Sequence, residues 1–183
     1  MSVVTNWRGL PSKTAKKNNG EVAKMGMENG WLQAFGKMTY GLYVLTTFHE
    51  EKVNGMIASW VSQVSYDPPM VIVAIHPDRY SHHLIMKSGY FALHVLARDQ
   101  PHLLQHFKGP DPAAKFASIN WARGRKGCPI IKECIAYMEC EVKESYCPGN
   151  HTLFVGEVRD AGVFSDEEPL STRDYKGVYL GKK

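Results

Sequence analysis

The stretch "DRYSHH", residues 78–83, places a guanidinium, a hydroxyl and two imidazoles within six positions. Ser81 suits the N-cap of a short helix that Gly89 would close. The unpaired N–H groups of such a first turn, with Arg79 beside them, make a ready anion site. The plainer alternative is that Ser81 only caps the helix and Arg79 is solvated. A second stretch, "NGMIASWVSQVSYDPP" at residues 54–69, bears on the choice. It reads as one long strand in which Met56, Ala58, Trp60, Val64 and Tyr66 share a core parity that Ser62 interrupts. Ser59, Gln63 and Ser65 lie on the other side, and no residue from Asn54 to Tyr66 is charged. If this strand runs beside the helix start, Ser59 and Ser62 add hydrogen bonds near the same anion. Trp60 then offers a flat surface to an aromatic group. A phosphate joined to a flat, uncharged heterocycle describes a nucleotide or a flavin. Without that pairing, the strand is simply half-buried with a polar outer face.

The elements that must position these residues follow from pattern and punctuation. A chain of 183 residues suits one domain with a full core. "GWLQAFGKMTYG" gives a short amphipathic helix or turn, and "GLYVLTTF" a strand. "HEEKVNG" predicts a reversal ending in Asn54–Gly55, a hairpin signal. "MVIVAIH" reads as a strand buried on both faces, and "YFALHVLA" as another. "RDQPHLLQHFKG" predicts a second short helix with Asp99 as cap and Pro101 in its first turn. "GPDPAAKFASINWARGRKGCP" is a long connection, of a length that is often functional. Two last strands, 131–146 and 151–164, predict a hairpin through "CPGN", with Pro148–Gly149 suiting a type II turn. "DYKGVYLGKK" offers one more short strand. Six or seven strands with only short helices predict a small β-barrel or sandwich.

Several chemistries are excluded. No G-x-G-x-x-G follows a strand, and "GWLQAFGKM" misses a P-loop by one residue in the gap and by Met38 at the hydroxyl position. His102 and His106 have metal-ligand spacing, but "HLLQH" lacks the zincin glutamate and a third ligand. No G-x-S-x-G elbow is present. Cys128, Cys134, Cys140 and Cys147 contain no C-x-x-C pair and read as reduced cysteines. Cys134 and Cys140 share parity on one predicted strand. The net charge of +4 resides in residues 1–24, where five basic residues face Glu21 alone. The remainder is balanced and offers no basic groove, which argues against a nucleic-acid-binding module. No window approaches a membrane span, and the N-terminus lacks an apolar signal core, so the cytoplasm is the expected compartment.

From about Leu32 onward the chain resembles the flavin reductase-like, FMN-binding split-barrel family, and within it the flavoredoxins. The resemblance is carried by "YGLYVLTT", "NGMIASWVSQVSYDPPMVIVAI", "RYSHHLIMKSGYFALHVL", "GNHTLFVGEV" and "GVYLGKK", in family order. It implies a mainly β fold with short helices, a six-stranded split β-barrel over residues 30–183; residues 1–29, read from their charge as a basic arm, have no counterpart in it. It implies FMN bound near the interface of a homodimer. Ala58, Ser59, Trp60, Val61 and Ser62 would run along the flavin, with Asn54 near the ring. Arg79, Ser81 and His82 match the phosphate-binding segment, joined by a lysine for which Lys115 is the candidate. His151 matches the histidine of a Gly-Asp-His motif, where it sits beside the ring as the catalytic candidate, although Asn150 stands where aspartate is usual. Tyr179 falls in a C-terminal aromatic segment that approaches the ring.

The activity implied is an NAD(P)H-dependent flavin reductase-like oxidoreductase (EC 1.5.1-type). NADH or NADPH would deliver hydride to the flavin, and the electrons would pass to free flavin, a ferric chelate or a redox-protein partner. The alternative is a flavoredoxin-type electron carrier with tightly bound FMN and little NAD(P)H activity. A haem-binding relative of the same barrel would differ at once in its absorbance spectrum.

Overall fold

The computed structural model describes residues 30–175 and divides the chain into two compact units, residues 1–38 and 39–183. Within the described part of the first unit, residues 30–35 form helix α1, where the Trp31 and Phe35 rings meet edge-on at 5.7 Å. The second unit is mainly β. Its elements are β1 (Tyr43–His49), β2 (Lys52–Ala58), β3 (Val61–Ser65), β4 (Met70–Ile75), α2 (Tyr80–Ser88) and β5 (Tyr90–Val95). After them come α3 (Pro101–His106), α4 (Pro112–Phe116), β6 (Trp121–Arg123), β7 (Pro129–Ile131), β8 (Ala136–Tyr146) and β9 (Thr152–Val163).

Seven strands form one antiparallel sheet in the order β2-β1-β5-β8-β9-β4-β3, and β6 and β7 form a separate hairpin. Alternate residues of β1 feed different packing clusters, as a period of two requires. Val44 joins Leu96, Leu103, Phe107 and Phe116, whereas Leu45 joins Val73, Ile85, Phe91 and Phe154. Both faces of the central strands are therefore covered. In β4 the coverage is uneven: Val71, Val73 and Ile75 are buried, while Met70, Ile72 and Ala74 are only half-buried.

Several expectations need correction. The reversal after β1 turns at Glu50, in the left-handed region at φ 55°, not at Asn54–Gly55. Asn54 and Gly55 lie inside β2, opposite Thr47 and Thr46. Packing explains the glycine: a Cβ at Gly55 would run into the Phe107 ring. Gly55→Ala is expected to cost about 1–3 kcal/mol as that ring is displaced, read as a lower denaturant midpoint at unchanged m.

The stretch 54–69 is not one strand. It breaks at Ser59–Trp60, and the core parity fails beyond the break, where Val64 is 51% and Tyr66 90% exposed. Ser81 does not cap α2. Arg79 holds the cap position without a side-chain bond, and Ser81 lies in the first turn. Gly89 does close the helix, at φ 75°, with its N–H on the Ile85 carbonyl at 2.8 Å. The cap position of α3 falls on Gln100 and not Asp99. The long connection holds α4, capped by Asp111, and the β6–β7 hairpin.

Cys134 precedes β8 and packs in a different cluster from Cys140, so the two do not share a strand face. Cys128, Cys134 and Cys140 are buried, Cys147 is exposed, and all four are free. Gly149 is not at positive φ, which rules out the type II turn. The strand expected in the last ten residues, and Tyr179 with it, lies almost wholly outside the described residues.

Candidate functional site

The break between β2 and β3 is the starting point of the site. The chain leaves one edge of the sheet at Ala58 and joins the opposite edge at Val61. At the break the Trp60 carbonyl accepts from Ala74 N–H of β4 at 3.0 Å. Met56, Ile57, Ala58, Ser59 and Trp60 line an open cleft together with Ala74, His76, Arg79 and His151. Its lining is mostly uncharged, with Arg79 and the imidazoles of His76 and His151 as the exceptions.

Ser59 and Trp60 are held differently. Ser59 is 2% exposed, and its hydroxyl has no hydrogen-bond partner among the described residues. A buried hydroxyl left unpaired is costly, so this one is available to a polar atom entering the cleft. Trp60 is 42% exposed and its ring lies 4.7 Å from that of His151. Val61 and Ser62 do not line the cleft. Val61 pairs with Val73 and packs on the core, and the Ser62 hydroxyl donates to the Gln63 carbonyl at 3.1 Å.

A second group gathers around the start of α2. Asn54 Nδ2 donates to Ser81 Oγ at 2.8 Å, and both residues are buried. Lys115 reaches in from α4, donating to Asn54 Oδ1 at 3.0 Å and to the Gly55 carbonyl at 2.9 Å. The Phe107, Phe116 and Trp121 rings, in edge contacts of 5.7 and 5.4 Å, hold α4 in place. Burial pushes the Lys115 pKa down and the Arg79 charge adds to this, while Asp111 opposes it. Lys115 and Arg79 thus face the same region as like charges, an arrangement that an anion would relieve.

In two of the imidazoles, His82 and His151, the surroundings disfavour the proton. His82 Nε2 lies 2.9 Å from Thr152 Oγ1, and its buried Nδ1 has no partner among the described residues. Burial lowers the His82 pKa, helped by His83 and His76. His151 Nδ1 lies 2.8 Å from Asn150 Oδ1, and its pKa is lowered by burial, His76 and Arg79.

The family model described as flavin reductase like domain matches residues 35–179. The chain belongs to that family. Among the relatives of this flavin reductase like chain is the high molecular weight rubredoxin of Moorella thermoacetica. It is 33% identical over 153 residues, covering 81% of this chain and 67% of that protein. The ferric-chelate reductase (NAD(P)H) of Archaeoglobus fulgidus is 32% identical over 155 residues, covering 82% and 92%. Among solved structures, the NADH:FAD oxidoreductase of Streptomyces globisporus C-1027, in complex with NAD and FAD fragments, superposes with a TM-score of 0.70. It is 26% identical and covers 87% of this chain and 92% of that one.

The flavin reductase like chain therefore brings together Ala58, Ser59, Trp60, Arg79 and His151 at the cleft, and Asn54, Ser81 and Lys115 in one buried network. His82 sits beside the Phe154 ring at 5.2 Å. The sequence reading missed His76 and Thr152. His76 closes the strand "MVIVAIH" directly before the Arg79 turn, and that position was the available signal. Among the described residues no helix is long and apolar enough to cross a membrane.

Proposed function

We propose that the chain is an FMN-dependent oxidoreductase that takes electrons from NADH or NADPH. The observation that carries this reading is the unpaired, buried Ser59 hydroxyl at a cleft that Arg79 also lines. One ligand with a flat polar ring and a phosphate answers both features. Arg79, Ser81, His82 and Lys115 would hold the phosphate. Ala58, Ser59 and Trp60 would line the ring with Asn54 nearby, Val61 and Ser62 continue the segment, and Tyr179 would approach from the C-terminal region. When bound, FMN supplies the two-electron chemistry, accepting hydride from NAD(P)H and passing electrons to an acceptor. The protein's part is to bind and orient. Ser59 would supply a hydrogen bond, Trp60 would shield a face, and His151 would border the ring from the same cleft.

The finer parts of the proposal are a flavin domain over residues 30–183, a basic arm before it, and a homodimer in the cytoplasm. A six-stranded split barrel fits if β2 and β3 count as one interrupted strand serving both ends of the sheet. The relative named high molecular weight rubredoxin favours a second reading, in which the acceptor is a redox protein and the chain is a flavoredoxin-type carrier. Absorbance of the purified chain with added FMN, followed by NADH and NADPH under anaerobic conditions, separates the two. The reductase reading expects bleaching of the flavin band by a pyridine nucleotide. A bound flavin that only dithionite reduces overturns it in favour of the carrier.

A further inference from the structure

Three buried polar side chains form a run of hydrogen bonds with one direction. Lys115 Nζ donates to Asn54 Oδ1 at 3.0 Å, and Asn54 Nδ2 donates to Ser81 Oγ at 2.8 Å. They come from α4, β2 and α2. An ammonium has donors and no acceptor, so it fixes which end of the Asn54 amide faces it. The amide N–H is thereby turned on the Ser81 oxygen, and the Ser81 proton is left for another acceptor. The charge is a second observation. Both groups bonded to the Lys115 ammonium are neutral, Asn54 Oδ1 and the Gly55 carbonyl. A buried charge is ordinarily matched by a counter-charge. The carboxylate that acts on Lys115, Asp111, is engaged in capping α4, where it accepts from Ala113 N–H at 2.9 Å. Burial and Arg79 outweigh it.

We propose that Asn54 is a positioning residue whose uncharged amide holds Lys115 and Ser81 as donors for a phosphate and leaves the lysine charge uncancelled. The inference rests on the phosphate role given to Ser81 and Lys115 above, and it moves Asn54 from the ring end of the ligand to its phosphate end. Aspartate has nearly the same shape and would reverse both effects. Its carboxylate would pair with the ammonium, and it would take up the Ser81 proton that the amide leaves free. The neutral residue at position 54 therefore keeps a buried positive charge open to an anion that arrives from outside.

The test compares FMN with riboflavin, which has the same ring and no phosphate, by fluorescence titration of the full chain at fixed ionic strength. The wild type is expected to prefer FMN. Asn54→Asp should reduce that preference by about tenfold or more while leaving riboflavin binding unchanged. Asn54→Ala, which removes the amide without adding a charge, should keep more of the preference. An Asn54 that touched the ring, or served packing alone, would alter both flavins alike. Urea midpoints without added anion are measured beside the titrations. Asn54→Asp should be at least as stable as the wild type, because its carboxylate supplies the missing counter-charge. The proposal is overturned by a wild type without the FMN preference, or by an equal loss for both flavins. It is overturned as well by an Asn54→Ala preference as low as that of Asn54→Asp, or by an Asn54→Asp chain that is destabilised or fails to fold. If the wild type binds neither flavin, the flavin reading falls and inorganic phosphate becomes the probe. The proposal then stands if phosphate raises the melting temperature of the wild type and not of Asn54→Asp, and falls if it raises both or neither.

Discussion

Lys115→Met is expected to weaken FMN binding by about one to two orders of magnitude, the scale of a charge-assisted hydrogen bond. Lys115 is 7% exposed, and among the described residues two acceptors engage its ammonium, Asn54 Oδ1 and the Gly55 carbonyl. An ammonium has three donors, so one N–H is left for an incoming anion. Burial and Arg79 make its charge costly without a ligand, and a phosphate would reverse that cost. Methionine keeps most of the alkyl stem, so the packing of α4 under Phe107 and Trp121 should survive. Asn54 keeps its bond to Ser81. Flavin fluorescence titrations at one fixed salt concentration measure the effect. An unchanged Kd would remove Lys115 from the site.

The second large effect is on stability, and it arises at His94, away from the cleft. His94 is fully buried between β1 and β7. Its Nδ1 donates to the Val44 carbonyl at 3.1 Å, and its Nε2 accepts from Ile131 N–H at 3.1 Å. The Ile131 contact needs the neutral ring, because a second proton would set Nε2–H against a backbone N–H, whereas the Val44 contact favours the proton and only partly offsets burial. Burial pushes the pKa down from 6.5 to about 4. A depressed folded-state value means the unfolded chain takes up its proton first as pH falls. The His94 contribution is therefore complete above pH 6.5 and is lost progressively down to about pH 4. The loss amounts to about 3 kcal/mol. Urea unfolding at a series of pH values reads it. His94→Leu should be less stable near neutrality, since Ile131 N–H loses its acceptor, yet show a shallower fall toward pH 4. A variant with the wild-type slope would assign the acid sensitivity elsewhere.

The parts of the fold that could be read in advance are those governed by local signals. The apolar runs of β1, β4 and β5 mark strands because little else suits them, and Gly89 ends α2 where a left-handed residue is needed. Tertiary packing decided the rest. Gly55 looks like a turn residue, but it is a glycine because Phe107 presses on the strand, and the turn fell to Glu50 instead. Cys134 lies before β8 begins at Ala136, so the strand parity on which the cysteine reading relied does not reach it. α4 and the β6–β7 hairpin are too short to show a period and are held by ring contacts among Phe107, Phe116 and Trp121. In the site, Ser59, Trp60, Arg79 and Ser81 were legible from residue type and spacing. Asn54, Lys115 and His151 came from the family resemblance, because what unites them is proximity across the sheet. His76 escaped both routes, since its partner His151 is remote in the chain.

The interrupted run from β2 to β3 has a thermodynamic meaning as well as a geometric one. One short segment supplies both terminal strands of the sheet, and Ser59 and Trp60 are its joint. A molecule held against that joint contacts the place where the two ends of the sheet are tied to each other. Its binding free energy adds to the stability of the folded sheet, and the melting temperature becomes a gauge of occupancy that rises with ligand concentration.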